Sequence, residues 1–219
     1  MFSSNDRKSA IKNAGSNHEK HIEQLSRDSL YETHGLKIYA PAGTYHPSKN
    51  SSSEFLLDTI SQLVIKNSKI VEIGCGTGVI SIYLAKNNNM VTSTDISNIC
   101  CAATCWNAKV NNCYLDIRIG DMWSPIMPEE TYDISIFNPP LMDKNPDTEE
   151  ELSLCDPGGK IIKSYFSGVK SHLRKNGKVI TVYSNISAEL PSEWSDRYRV
   201  LSEQKRPSGT IFQVLEFSI

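Results

Sequence analysis

Lys69-Ile70-Val71-Glu72-Ile73-Gly74-Cys75-Gly76-Thr77-Gly78 is the stretch on which the fold turns. An apolar run of strand length meets three glycines at alternate positions, and a helical pattern over about 77–87 follows. Glycine lets a backbone turn sharply and come close to a ligand, and the N-terminus of the next helix is electropositive. A dinucleotide-binding turn spaces its glycines as GxGxxG around a pyrophosphate. Here the spacing is GxGxG, and Glu72 stands two residues before the first glycine. A carboxylate there repels a pyrophosphate but suits a zwitterion carrying an ammonium group. The alternative is a tight strand-to-helix turn with no ligand.

Strands and helices alternate on both sides of this stretch. Apolar runs at 69–73, 90–94, 115–119, 132–137 and 178–183 have strand length, and helical spacing fills about 77–87, 97–110 and 160–174. The alternation predicts an α/β fold, a mostly parallel sheet with helices on both faces. Upstream, 36–39 reads as a short strand and a Pro-, Gly- and Ser-rich loop follows. Phe55, Leu56, Leu57, Ile60 and Leu63 then recur at helical spacing over 54–64, with Ser51, Ser52 or Ser53 as cap. Downstream, 198–203 and 210–217 read as a C-terminal antiparallel hairpin closed at Arg206-Pro207-Ser208-Gly209, expected to give the sheet an antiparallel edge strand. Residues 1–34 are polar and balanced in charge, an N-terminal extension read as a helical cap or a partly disordered tail. Residues 35–219 make the folded domain.

The 219 residues suit one domain of ordinary composition, 39% hydrophobic and 22% charged. Lys and Arg number 23 against 25 Asp and Glu, a net charge of −2, so the global basic excess of a dedicated nucleic-acid binder is missing. No run approaches the roughly 20 apolar residues that span a bilayer. Met1-Phe2-Ser3-Ser4-Asn5-Asp6 has no apolar signal core, so the expected address is the cytoplasm, without a membrane partner. Cys100, Cys101, Cys105 and Cys113 fall close together, but a zinc site wants two ligand pairs with suitable spacing. The six cysteines read as reduced thiols, and no metal is expected.

Three further elements follow consecutive strands. Asp95 ends the second strand, 21 residues past Gly74, where a carboxylate can accept both hydroxyls of a ribose. Asp121 follows the third strand in Gly120-Asp121-Met122, placed to accept an adenine amine while Met122 packs on the ring; the plainer reading of Asp121 is a turn or cap residue. Phe137-Asn138-Pro139-Pro140-Leu141 closes the fourth strand. Two prolines fix φ and remove donors, so carbonyls there act as fixed acceptors. With the Asn138 side chain they form a cradle for an N–H₂ group, whose lone pair orientation then supplies much of the rate.

This set resembles the class I S-adenosylmethionine-dependent methyltransferases. Within them it is similar to the branch sharing Asn-Pro-Pro: release-factor glutamine, adenine-N6 and small-domain ribosomal RNA guanine methyltransferases. The similarity spans about 36–185 and implies a Rossmann-like, mostly parallel seven-stranded sheet. By that resemblance the cofactor is S-adenosyl-L-methionine. Glu72, Gly74, Cys75, Gly76 and Gly78 face its methionine part, Asp95 and Ile96 the ribose side, and Asp121 and Met122 the adenine. Ser53, or Ser52, is the helix-start hydroxyl that touches the cofactor carboxylate. Asn138, Pro139 and Pro140 hold the nitrogen acceptor, with Tyr45 and Leu141 lining its place.

The chain departs from the branch in three ways. Leu141 stands where the branch carries Tyr or Phe to stack on an amide or base. The loop 142–159 holds Asp143, Asp147, Glu149, Glu150, Glu151 and Asp156 against Lys144, which repels phosphate and attracts a cation, unless it is only a solvated loop. No separate substrate-recognition domain is visible. The expected function is therefore methylation of a nitrogen on a small, cationic amine, amino acid or guanidine. The alternative is a macromolecular acceptor, a protein glutamine or an RNA or DNA base, and the third reading is a non-catalytic binding subunit.

Overall fold

The computed structural model describes residues 22–219 together with Arg7 and Ala10. The expected extension 1–34 therefore lies partly outside the described residues. In chain order the elements are β1 (Ser29–Thr33), β2 (Leu36–Ala40), α1 (Ser52–Ser61), β3 (Lys69–Ile73), α2 (Val79–Lys86), β4 (Met90–Asp95) and α3 (Asn98–Val110). They continue with β5 (Asp116–Ile119), β6 (Tyr132–Phe137), α4 (Lys160–His172), β7 (Leu173–Ser184), β8 (Tyr198–Lys205) and β9 (Ile211–Ser218). Among the described residues no helix is long and apolar enough to cross a membrane.

Seven strands form one sheet in the order β5-β4-β3-β6-β7-β9-β8, parallel from β5 to β7. Period-2 alternation splits the buried residues between its two faces. Ile70, Ile136, Ile180 and Val214 pack with α1 and α2, while Val71, Ile73, Val179 and Phe217 pack with Tyr165, Phe166 and Val169 of α4. This is the doubly covered sheet that the strand-helix alternation requires.

The C-terminal hairpin gives the sheet its expected antiparallel edge, with the two strands in reversed order. β9 inserts between β7 and β8, antiparallel to both, and β8 takes the edge. Burial explains the order: Val214, Leu215 and Phe217 of β9 are fully buried, while Arg199, Val200 and Glu203 of β8 are exposed. The strand with apolar residues for both faces takes the interior, and the charged one blunts the edge.

A second, two-stranded sheet of β1 and β2 turns at His34-Gly35, across the boundary expected between 34 and 35. Its β2 is fastened to α3 by two asparagines one helical turn apart. Asn107 accepts from Tyr39 N–H and donates to Tyr39 O, both at 2.8 Å; Asn111 accepts from Lys37 N–H at 3.0 Å and donates to Lys37 O at 2.7 Å. Primary amides stand in for the missing strand partner, which keeps this buried backbone paired. Asn107 also donates to Thr77 O at 2.9 Å, tying the hairpin to the glycine loop.

Candidate active site

Strand register gathers the motifs. Ile73 pairs with Thr94 of β4 and with Phe137 of β6, and Asp95 pairs with Ile119 of β5. The residues that follow, Gly74, Asp95, Asp121 and Asn138, therefore stand side by side at the carboxyl end of the sheet. That end, beside the central strand where the connections diverge, is where open α/β sheets bind ligands. A cavity of about 940 Å³ opens there, lined by every residue expected to face the cofactor or hold the acceptor except Gly78.

The glycine loop is shaped by its packing. Gly74 has φ +68° and a Cβ there would lie 3.3 Å from the Phe137 ring; Gly78 has φ +78° and a Cβ would lie 2.7 Å from Thr104. Gly78 instead caps α2 and closes the turn through its N–H to Cys75 O at 2.8 Å. Cys75 points inward, its Sγ 3.3 Å from Thr104 Oγ1, and a hydrogen bond with Cys101 together with burial keeps its thiol proton on.

Two carboxylates are held from below. Glu72 is buried and accepts from Ser81 N–H at 3.0 Å and from Ser81 Oγ. Burial pushes its carboxyl up to about 8, against the Ser81 hydrogen bonds and with the Asp95 charge adding to the rise. Asp95 accepts from Gly76 N–H and Ser97 N–H, both at 2.9 Å. Burial raises it too, and those N–H groups oppose the rise. Ile96 is 70% exposed beside it, and Asp121 is exposed with no hydrogen bond to its carboxylate among the described residues. Met122 adopts φ +46° in the tight turn after Asp121.

Asn138 meets the start of α1. Its Nδ2 donates to Ser53 Oγ at 2.9 Å, and its Oδ1 is buried without a hydrogen-bond partner among the described residues. Ser51 caps α1 by accepting from Glu54 N–H at 3.0 Å, so the helix begins two residues earlier than expected. Tyr45 lines the cavity with its hydroxyl spent on Ser52, at 3.3 Å from N and 3.2 Å from Oγ. Leu141 is 8% exposed and belongs as much to the core as to the cavity wall.

The acidic loop spends most of its charge on itself. Asp143 accepts from Gly158 N–H at 2.8 Å, Asp147 and Glu151 hold Lys144 Nζ at 3.0 and 2.9 Å, and Asp156 caps α4 through Ile161 and Ile162. Glu149 alone of these acids lines the cavity. The wall also contains Lys49, Arg206 and Phe212, which carry no motif in the sequence. The one signal for them is the Arg-Pro-Ser-Gly turn, which marks a loop but not where it lands.

The family model of the methyltransferase small domain matches residues 36–193. Among curated relatives, a Methanocaldococcus jannaschii protein named for protein N5-glutamine methyltransferase is 27% identical over 167 residues, 73% of this chain and 82% of its own length. A ribosomal RNA small subunit methyltransferase C of Haemophilus influenzae is 26% identical over 173 residues, 77% of this chain and 48% of its own. Among solved structures, the T. thermophilus 16S rRNA N2 G1207 methyltransferase with AdoMet and guanosine superposes with TM-score 0.69 at 15% identity, covering 88% of this chain and 50% of that one. The chain thus spans about half the length of these ribosomal relatives. Fold, sheet-end cavity and family match agree: the chain belongs to the methyltransferase small domain family, whose cofactor is S-adenosylmethionine.

Proposed function

We propose that this chain transfers the methyl group of S-adenosylmethionine to a planar amino nitrogen of a macromolecule, a protein amide or an exocyclic base amine. The observation that carries the reading is Asn138 Oδ1, a buried acceptor with no partner. Leaving such a group unpaired costs about 1–3 kcal/mol, which an incoming N–H recovers. The archaeal relative is named for a glutamine nitrogen and the ribosomal ones for RNA, and both acceptors carry –NH₂ on an sp² carbon. The small cationic acceptor expected from the acidic loop loses its ground, because four of the six acids are engaged within the loop or as a helix cap.

The residues present fit the cofactor. Asp95 has lone pairs left over for ribose hydroxyls, Ile96 and Met122 offer apolar contact to a base, and Asp121 is an open acceptor for its amine. Glu72 beneath the glycine loop suits the ammonium end, and the start of α1 at Ser53 suits the carboxylate. When bound, the cofactor supplies a methyl on a sulfonium. Asn138 Oδ1 and the Pro139-Pro140 backbone accept the two N–H bonds of the acceptor and aim its lone pair. Once the nitrogen has taken the methyl, one of its N–H protons would leave to water. No strong base is required, and orientation is the main contribution of the protein.

Incubation of the enzyme and tritiated S-adenosylmethionine with extract, separated into protein, RNA and small molecules, tests this reading. Label is expected in protein or RNA. Label confined to small molecules would refute it.

A further inference from the structure

Among the described residues that line the cavity, the basic ones are Lys49 in the β2–α1 loop and Arg206 at the β8–β9 turn; the acids are Glu72, Asp95 and Asp121 at the strand ends and Glu149 in the 142–159 loop. Arg206 is fixed by its turn, through its N–H to Thr210 O at 2.8 Å and Gly209 N–H to Arg206 O at 2.9 Å. Its guanidinium donates to Asn50 Oδ1 at 2.8 Å and Asn50 O at 2.7 Å, and lies over the Phe212 ring, 5.2 Å from the centroid. All these partners are neutral, and it makes no ion pair among the described residues. Glu54, whose charge it feels, already receives Asn50 N–H. Two of its five donors are used, so the fork keeps donors in reserve. Burial pushes the guanidinium below its usual range, as an unpaired cation in a wall should be.

We propose that Arg206, with Lys49 beside its Asn50 anchor, receives a backbone phosphate of the acceptor, so that the amino nitrogen held at Asn138 belongs to a base in an RNA strand. This rests on the methyl-transfer reading above. The guanidinium fork matches a phosphate bidentately, and the partly desolvated setting strengthens that bond. A peptide carrying a glutamine brings a neutral backbone that leaves Arg206 uncompensated. Asn50, which holds Arg206, and Ser53, which holds Asn138, both lie at the start of α1, so one chain segment supports the phosphate and the amine ends of the acceptor. The net charge of −2 does not oppose this, because screening makes the local rim decisive.

The test measures binding of a fluorescein-labelled, mixed-sequence RNA 20-mer to the protein saturated with S-adenosylhomocysteine, and S-adenosylhomocysteine affinity by calorimetry. Arg206→Gln should weaken RNA binding about tenfold and lower the slope of log K against log salt by about one. Lys49→Gln, at an exposed site whose side chain makes no hydrogen bond or ion pair among the described residues, should act in the same direction but less. Arg206→Lys should fall between Arg206→Gln and the parent, because it keeps the charge and loses the fork. Cofactor-product affinity should not move. Unchanged RNA affinity and salt slope in both Gln variants would overturn the proposal. So would a fall in S-adenosylhomocysteine affinity with Arg206→Gln, which would make the anion the cofactor carboxylate. Methylation of a neutral glutamine peptide, unaffected by either substitution, would overturn it while leaving the methyl-transfer reading intact; label in no macromolecular fraction would defeat that reading itself.

Discussion

The two ends of the cavity are built on opposite principles. At the strand tips of β3 and β4 the polar groups are already hydrogen-bonded within the chain: Asp95 by Gly76 and Ser97, Glu72 by Ser81. At the other end the groups are held in place but left open, Asn138 Oδ1 without a donor and Arg206 without an anion. In the proposed reading the first end serves the cofactor, a ligand that does not vary. The second keeps unspent hydrogen-bonding capacity for the acceptor, as expected where substrate binding must be strongest in the transition state.

This contrast makes graded predictions. Asn138→Ala should lower kcat about 100- to 1000-fold, on the scale of removing one preorganised hydrogen-bonding group from an active site, with cofactor affinity nearly unchanged. Equal loss of S-adenosylhomocysteine affinity in calorimetry would erase the distinction between the two ends. Gly78→Ala should destabilise the whole protein by about 2–4 kcal/mol in urea unfolding, from a left-handed φ and the Thr104 contact together. A stability within error of the parent would mean the loop relaxes freely. Asp95→Ala should weaken cofactor binding by about 1–3 kcal/mol while freeing two loop N–H groups.

The Glu72 prediction has a sign set by its pKa. The carboxyl rises from an ordinary 4.5 to about 8, so the folded chain keeps a proton that the unfolded chain gives up. Stability from this group is complete below about 4.5 and falls as pH climbs through about 8. Glu72→Gln should therefore gain thermal stability over the parent, without ligand, as pH rises from 5 to 8, and lose cofactor affinity. A Tm difference independent of pH would remove the buried carboxyl from the account. Smallest of all, Glu149→Gln should change the Michaelis constant less than twofold, since an exposed charge is screened. A large change would restore the acidic loop to substrate recognition.

The uneven legibility of the two ends has the same root. Gly74, Asp95, Asp121 and Asn138 each follow a strand, and consecutive parallel strands place their ends in one row. Reading the strands therefore meant reading the end of the sheet where the cavity opens. The fold class was legible for that reason, and so was the hairpin, although not that β9 rather than β8 would lie inside. The acidic loop shows how composition misleads: six like charges looked like a cation trap, but Lys144, Gly158 and the start of α4 absorb four of them.

By itself the sequence determined the strand-helix alternation, the glycine turn, the acids at the strand tips and the Asn-Pro-Pro at the end of β6, because local periodicity and backbone chemistry encode them. Only the tertiary structure decided that Asn107 and Asn111 bind β2 as a surrogate strand and that Ser53 leaves Asn138 Oδ1 open. It alone brought Arg206 from the C-terminal turn to Asn50, 156 positions away. Contacts of that span depend on how the sheet is ordered, and no local pattern in the chain records them.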